Sequence, residues 1–215
     1  MDKLASRNKG KVAGAYMIMY LLLMLYYSWR SLRYIITYGD SLYQLYENPL
    51  YHTLNAISNI TISAACIVII VCAFLNKNNL VLFIASVVYL IGDRLIFILN
   101  RLGVDVRVSG EFSLMGVIYI LGVVSVVVVI AFSVFKLNKA VKYTWYLPAV
   151  FKGITFSSYM ISCFGDENGG ALAMLANISM VLLNRNFIFI IAFLYLGLWL
   201  KAKAEEEAPA IGYGF

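Results

Sequence analysis

Long apolar runs, separated by short polar connectors, make up most of this chain. A membrane-spanning helix needs about 20 predominantly apolar residues, and several runs reach that length. They cover residues 12–29, 51–75, 80–103, 112–135, 143–164 and 171–200. The pattern predicts an all-α, polytopic transmembrane helical bundle of about six spans. These spans would form a single transmembrane domain over residues 12–200.

The last apolar run is longer than one span requires. Its 30 residues would form a helix of about 45 Å, whereas the hydrocarbon core of a bilayer is roughly 30 Å thick. Asn184-Arg185-Asn186 interrupts the run. Either one tilted helix buries Arg185 in the bundle or the chain breaks there into two short segments; we favour one span. We expect the polar tail that follows, residues 201–215, to be disordered.

The basic residues predict which side of the membrane each connector faces. With six spans, the inner tails and connectors contain ten of them: Lys3, Arg7, Lys9, Lys11, Lys77, Lys136, Lys139, Lys142, Lys201 and Lys203. The outer connectors contain four: Arg30, Arg33, Arg101 and Arg107. Cytoplasmic segments of membrane proteins carry the excess of Lys and Arg. We therefore expect an integral protein, in the plasma membrane, with both termini in the cytoplasm and a basic tail over residues 1–11.

Two features near the first span need separate interpretation. Gly10 and Gly14 form a GxxxG spacing, but because Gly10 lies in the predicted tail we assign the pair no packing role. Residues 30–49 alternate tyrosines with charged side chains, which is typical of a short interfacial helix or loop ended by Asn48-Pro49. This segment could anchor the outer face as an aromatic belt or cover a site as a lid.

Composition agrees with a membrane protein and restricts its chemistry. Hydrophobic residues make up 62% of the 215 residues and charged residues 13%, whereas about 25% of a soluble domain is charged. We interpret the net charge of +6 as membrane topology rather than as nucleic-acid binding. The chain has one histidine, and its three cysteines lie in apolar runs. HExxH, GxSxG and glycine-rich phosphate loops are absent, so we predict no metal, no cofactor and no serine or cysteine triad.

The run over residues 80–103 contains the motif that most directly indicates function. Gly92-Asp93-Arg94 lies inside it, and a charged side chain at that depth costs roughly 2.5–3.5 kcal/mol on insertion scales. Ser86, Asp93 and Asn100 are spaced by seven residues and share a helix face, whereas Arg94 should point about 100° away. Asp93 is therefore expected to pair across helices with Lys152 or Arg185. Such a pair could brace the bundle or form part of a functional site.

The balance of charges favours a site for an anion. If Asp93 pairs with one base, two of the three intramembrane bases (Arg94, Lys152 and Arg185) remain. They can reach the headgroups or hold an anion, and arginine binds phosphate through two parallel hydrogen bonds. A buried carboxyl group in this setting could also act as a general acid or base.

Several short segments resemble the YhhN family of membrane proteins, the lysoplasmalogenases. SVVYLIGDRLIFIL, with Leu90, Gly92, Asp93 and the following leucine, is similar to the family's S-x-x-G-D-x-x-L helix. Further similar positions are Phe112, Gly116 and Tyr119, then Gly170-Ala171-Leu172, Asn177, Asn184-Arg185 and Phe187. The family's next histidine is absent, with Gly122 near its place, its second Ser-Asp is Ala176-Asn177 here, and its usual span number is higher.

The resemblance implies a hydrolase that acts on the vinyl-ether bond of a lysophospholipid. Asp93 would protonate the alkenyl carbon, water would add to the oxocarbenium ion, and an aldehyde would be released. Arg94, Lys152 or Arg185 would hold the headgroup phosphate. The remaining candidate substrate-binding residues are Ser86, Asn100, Asn177 and Asn184.

A second function remains open from the residues alone. Polar faces on the spans at 51–75, 80–103 and 143–164 could line a path for a small anionic solute, with Lys152 as its contact. The protein would then be a carrier, or a membrane-embedded transporter subunit without catalysis. The expected partners are the lipid bilayer and either a lysophospholipid or a small anionic solute.

Overall fold

A computed structural model describes residues 2–45, 49–101, 114–164 and 185–207. These residues form seven helices: α1 (Asp2–Leu45), α2 (Pro49–Phe74), α3 (Leu80–Arg101), α4 (Leu114–Val134), α5 (Asn138–Thr144), α6 (Leu147–Phe164) and α7 (Arg185–Glu207). No strand occurs within the described ranges. The prediction of an all-α fold is confirmed for this part of the chain.

Four of the described helices are long and apolar enough to cross a membrane. The candidate segments are Leu4–Arg30 in α1, Thr53–Phe74 in α2, Gly116–Val134 in α4 and Phe187–Glu207 in α7. Helices α3 and α6 occupy the positions of two further predicted spans. The number of six spans and the cytoplasmic side of the termini stay predictions.

Two connectors end their helices in the same way. Asn76 after α2 has φ 54° and Lys136 after α4 has φ 59°, both in the left-handed region. The amide of Lys77 donates to the carbonyl of Cys72 at 2.9 Å, and the amide of Leu137 to that of Phe132 at 2.7 Å. These bonds satisfy helix-end carbonyls in Schellman motifs. Each motif turns the chain sharply, so that α2 and α3 form a hairpin and α4 leads directly into α5.

Close helix packing depends on Gly10 and Gly14. A Cβ atom on Gly10 would lie 2.6 Å from the carbonyl oxygen of Ala73, and one on Gly14 would lie 2.7 Å from the ring of Phe74. The absence of side chains at both glycines therefore lets α1 approach the end of α2. The expectation that the GxxxG pair has no packing role is wrong, because α1 extends through the basic segment as a helix and packs there.

The structure also changes the predicted ends of the first and last spans. Helix α1 continues without a break to Leu45, so residues 30–45 extend the first predicted span instead of forming the expected short, separate interfacial helix or loop. Helix α7 begins at Arg185 and ends at Glu207, so the expectation of disorder from Lys201 onward is wrong for residues 201–207. Ion pairs of Lys201 and Lys203 with the glutamates one turn later support this last stretch of helix. Residues 171–184 lie outside the described ranges.

A network of polar side chains joins the two described ends of the chain. Ser6 Oγ donates to Glu206 Oε2 at 2.7 Å and accepts from Asn76 Nδ2 at 3.1 Å. Trp199 Nε1 donates to Asn76 Oδ1 at 2.8 Å, and Lys203 Nζ to Glu206 Oε2 at 3.2 Å. We call these five residues the termini network. It places the beginning of α1 and the end of α7 at the same end of the bundle.

Candidate functional site

Four helices bring charged and aromatic side chains together inside the bundle. Asp93 and Arg94 come from α3, Tyr119 from α4, Lys152 from α6 and Phe189 from α7. We call these five residues the charged cluster. Three of them, Asp93, Arg94 and Lys152, were predicted as site residues from the sequence.

Tyr119 lies at the centre of the charged cluster. Its hydroxyl donates to Asp93 Oδ1 at 3.1 Å. The Cζ atom of Arg94 lies 4.4 Å from the centroid of its ring, and Lys152 Nζ lies 3.3 Å from the same centroid. A cation over an aromatic face gains about 0.5–2 kcal/mol, the larger value when it is desolvated. One tyrosine therefore connects the carboxylate to both cations.

Lys152 is almost completely buried, at 2% exposure. A charge at such a position costs several kcal/mol unless other groups stabilise it. Its Nζ atom is 5.0 Å from the Phe189 ring centroid as well as close to Tyr119, so aromatic faces provide part of that stabilisation. Gly122 lets α6 approach α4 here, since a Cβ atom on it would lie 3.3 Å from Phe151 Cβ and 3.7 Å from the Lys152 amide nitrogen.

Asp93 and Arg94 form an ion pair between neighbours in the sequence. Arg94 Nη2 lies 3.1 Å from Asp93 Oδ2, and the two side chains are 16% and 9% exposed, respectively. The expectation that Arg94 points away from Asp93 is therefore wrong. Although the Cα–Cβ vectors of adjacent helical residues diverge, the long arginine side chain bends back to the carboxylate. The expected partners across the bundle, Lys152 or Arg185, are not needed for this pair.

Three polar atoms of this ion pair are buried without a hydrogen bond. These atoms are Asp93 Oδ2, Arg94 Nε and Arg94 Nη2, and none of them has a hydrogen-bond partner among the described residues. The 3.1 Å contact between Nη2 and Oδ2 is thus a charge contact without good hydrogen-bond geometry. A buried donor or acceptor left unpaired costs about 1–3 kcal/mol, and more if it is charged. The cluster therefore contains hydrogen-bonding capacity that its own side chains do not use.

The other predicted site residue with a described side chain does not join the cluster. Ser86 is fully buried, and its hydroxyl donates to the carbonyl of Phe83 on the same helix at 2.7 Å. This bond turns the hydroxyl toward its own backbone. The remaining predicted site residues lie outside the described part of the chain: the side chains of Asn100 and Arg185, and the whole of Asn177 and Asn184.

Sequence reasoning gave no site role to Tyr119 or Phe189. Tyr119 is a polar-tipped side chain in an otherwise aliphatic part of α4, which is a signal that could have identified it. Phe189 lies in the apolar sequence FIFII, and nothing in that pattern distinguishes it from its neighbours. Its role depends on the angle at which α7 packs against α6.

A pair of tyrosine hydroxyls lies one helical turn from the cluster along α3. Tyr89 OH and Tyr20 OH are 3.0 Å apart and buried. The rings pack against Phe189 and Phe193 of α7, so the polar tips satisfy each other within an apolar environment. Among the described side chains, no group of three or more His, Cys, Asp or Glu residues could hold a metal ion.

Comparison of the chain with protein-family models, curated proteins and solved structures finds no match. The resemblance of the α3 motif to the YhhN family therefore stays a prediction. What the described residues establish is an all-helical arrangement with four helices suited to a bilayer and a cluster of charged side chains inside the bundle.

Proposed function

We propose that this multi-pass membrane protein binds a small anionic solute at the charged cluster and carries it across the bilayer, alone or as a membrane-embedded transporter subunit. One observation supports this most directly. Among the cluster's side chains there are two cations, Arg94 and Lys152, and one carboxylate, Asp93. Arg94 Nε and Nη2 are buried without a hydrogen bond among the described residues, and an anionic ligand would supply acceptors for both atoms.

Uptake into proteoliposomes tests the carrier. We expect the purified protein to take up at least one of radiolabelled lactate, inorganic phosphate or sulfate. Lys152→Met should lower that uptake by about tenfold or more, which corresponds to about 1.4 kcal/mol. Lys139→Met on α5, an exposed lysine, is the matched control and should behave as the wild type. Uptake by Lys152→Met equal to that of the wild type would contradict the proposal.

Copurification separates a carrier that acts alone from a transporter subunit. A carrier should transport after purification to a single component. A subunit should retain other chains in mild detergent and lose uptake when they are removed. Uptake by the isolated chain would therefore exclude an obligate subunit role.

A lysoplasmalogenase-like hydrolase is the second candidate. It is favoured by the carboxyl group of Asp93, partly exposed beside two cations that could hold a headgroup phosphate. Against it, Asp93 Oδ1 accepts from Tyr119 and Oδ2 lies 3.1 Å from Arg94 Nη2, so both oxygens face side chains of the cluster. Aldehyde release from a lysoplasmalogen by the purified protein, lost in Asp93→Asn, would favour the hydrolase over the carrier.

We also propose that both termini lie in the cytoplasm. The support is the excess of basic residues on the predicted inner segments, together with the Ser6–Glu206 hydrogen bond that puts both described ends at one end of the bundle. Lys9→Cys and Glu205→Cys variants, labelled with a membrane-impermeant maleimide, test this. Both should react only after permeabilisation, and reaction of either in intact cells would contradict the orientation.

A further inference from the structure

Building on the proposed function, we infer that Arg94 binds a monovalent oxyanion side-on, through its Nε and Nη2 atoms. Asp93 is then the internal carboxylate that holds the guanidinium in place until this ligand arrives. The ligand class is a carboxylate or a phosphodiester, which present the same pair of oxygens and the same single charge.

The first observation is which atoms of Arg94 remain unsatisfied. Nε and Nη2 together form one edge of the guanidinium, and both are buried without a hydrogen bond to the described residues. This edge donates two parallel N–H···O bonds to a carboxylate or phosphate group. The two unpaired nitrogen donors can therefore bind two oxygens of one ligand at the same time. We call this edge of Arg94 the fork.

The second observation is that Asp93 does not fill this fork. Its Oδ2 atom lies 3.1 Å from Nη2, yet neither atom has a hydrogen bond within the described residues. Its other oxygen accepts from Tyr119. With one oxygen on Tyr119 and the other in contact with Nη2 alone, the Asp93 carboxylate does not align both oxygens with the arginine edge. A free oxyanion has no such restriction and can replace Oδ2 while satisfying Nε as well.

The third observation concerns access and charge. The Arg94 side chain is 16% exposed and Lys152 is 2% exposed, so the arginine is the more accessible of the two cations. Its Nε and Nη2 atoms are themselves covered, so binding requires Asp93 to move away from this edge. A ligand on this edge of Arg94 lies beside the Asp93 carboxylate, so every negative charge that the ligand carries is repelled by that group. A divalent anion therefore meets a stronger repulsion from Asp93 than a monovalent one, which opposes its binding.

Ligand titrations followed by thermal unfolding in detergent test the fork. Lactate and dimethyl phosphate are the monovalent oxyanion probes, sulfate is the divalent probe, and chloride at matched ionic strength is the reference. We expect lactate or dimethyl phosphate to raise the unfolding temperature of the wild type with a saturable dependence on concentration. A response to lactate indicates a carboxylate ligand, and a response to dimethyl phosphate alone indicates a phosphodiester headgroup.

Two arginine-to-lysine variants test whether ligand binding depends on the two parallel donors of Arg94 or only on its positive charge. Arg94→Lys keeps the positive charge but loses the fork, so its affinity should fall at least tenfold. Arg30→Lys makes the same chemical change at an exposed arginine and should bind as the wild type does. The unfolding temperature of each variant without ligand shows whether it is folded, and if Arg94→Lys is not, Arg94→Gln takes its place with the same expectation.

Each contrary result overturns one named part of the inference or of the proposed function. If Arg94→Lys binds as tightly as the wild type while Lys152→Met does not bind, the fork is wrong and the proposed anion-binding function stands. Sulfate binding more tightly than both monovalent probes would overturn the inferred charge of the ligand. No response of the wild type to any of the three oxyanions would overturn both the fork and the proposed function.

Discussion

The charged cluster and the termini network both contain buried or half-buried polar side chains, yet the two differ in how many of their polar atoms form hydrogen bonds. In the termini network, Asn76 uses its amide as donor and as acceptor, and Ser6 donates and accepts as well. In the charged cluster, three atoms of Asp93 and Arg94 have no hydrogen bond among the described residues.

That difference distinguishes a structural role from a binding role. A fully paired polar network stabilises one arrangement of helices, because any opening leaves buried groups unpaired. A partly paired one gains most when another molecule supplies the missing partners. Changes in the termini network should therefore reduce stability, whereas changes in the charged cluster should mainly alter ligand binding.

Removing Trp199 should have the largest effect. Its side chain is fully buried, and its Nε1 donates to Asn76. We expect Trp199→Ala to destabilise the fold by about 3–5 kcal/mol, the range for large aromatic truncations in cores. Thermal unfolding in detergent measures the loss. Trp29→Ala is the matched control, because Trp29 is 62% exposed, and an equal loss in both variants would contradict the structural role.

Adding one methyl group at Gly10 should have the next largest effect. A Cβ atom there would meet the Ala73 carbonyl oxygen and approach Trp199 Nε1 to 3.0 Å. Gly10→Ala should therefore separate α1 from α2, disturb the termini network and cost about 1–3 kcal/mol. Gly153→Ala has nothing within 4 Å of its new Cβ atom, so it should stabilise α6 by up to about 1 kcal/mol through helix propensity. The same sign of effect for both variants would refute this account of Gly10.

Asp93→Asn should change binding rather than folding. The amide oxygen can still accept from Tyr119, but the ligand no longer has to displace a carboxylate, and the cluster gains one net positive charge. We expect sulfate affinity to rise about tenfold, or about 1.4 kcal/mol, while transport slows because release becomes harder. Titration and uptake measurements on the same preparation test this. A large loss of thermal stability, recovered in Asp93→Asn/Lys152→Met, would instead identify Asp93 as a structural brace.

The sequence predicted the fold class and part of the cluster, for identifiable reasons. Apolar runs of membrane length impose helices, because only helices or closed barrels satisfy the backbone in lipid. Asp93, Arg94 and Lys152 were noticeable because charges are rare in such runs.

The contacts that the sequence did not predict also have physical causes. The contact of Arg94 with Asp93 was missed because it depends on how a long side chain bends, which helical periodicity does not specify. Phe189 was missed because an apolar residue in an apolar run carries no local signal. Packing of Gly10 was missed because the length of α1 depends on contacts with α2 and α7, which lie far away in the sequence.

The smallest predicted effect separates the two roles of Tyr119. Tyr119→Phe removes the hydroxyl that donates to Asp93 but keeps the ring beneath Arg94 and Lys152. A single hydrogen bond contributes about 0.5–1.5 kcal/mol net, and the partial exposure of Asp93 places the expected loss of stability at the lower end. Tyr119→Leu, which also removes the ring, should lose more, since Arg94 then loses this aromatic face and Lys152 keeps only the more distant ring of Phe189. Thermal unfolding and lactate titration of both variants compare the contributions. If Tyr119→Phe is as damaging as Tyr119→Leu, the hydroxyl rather than the ring organises the charged cluster, and Asp93 rather than the cations is the group that Tyr119 positions.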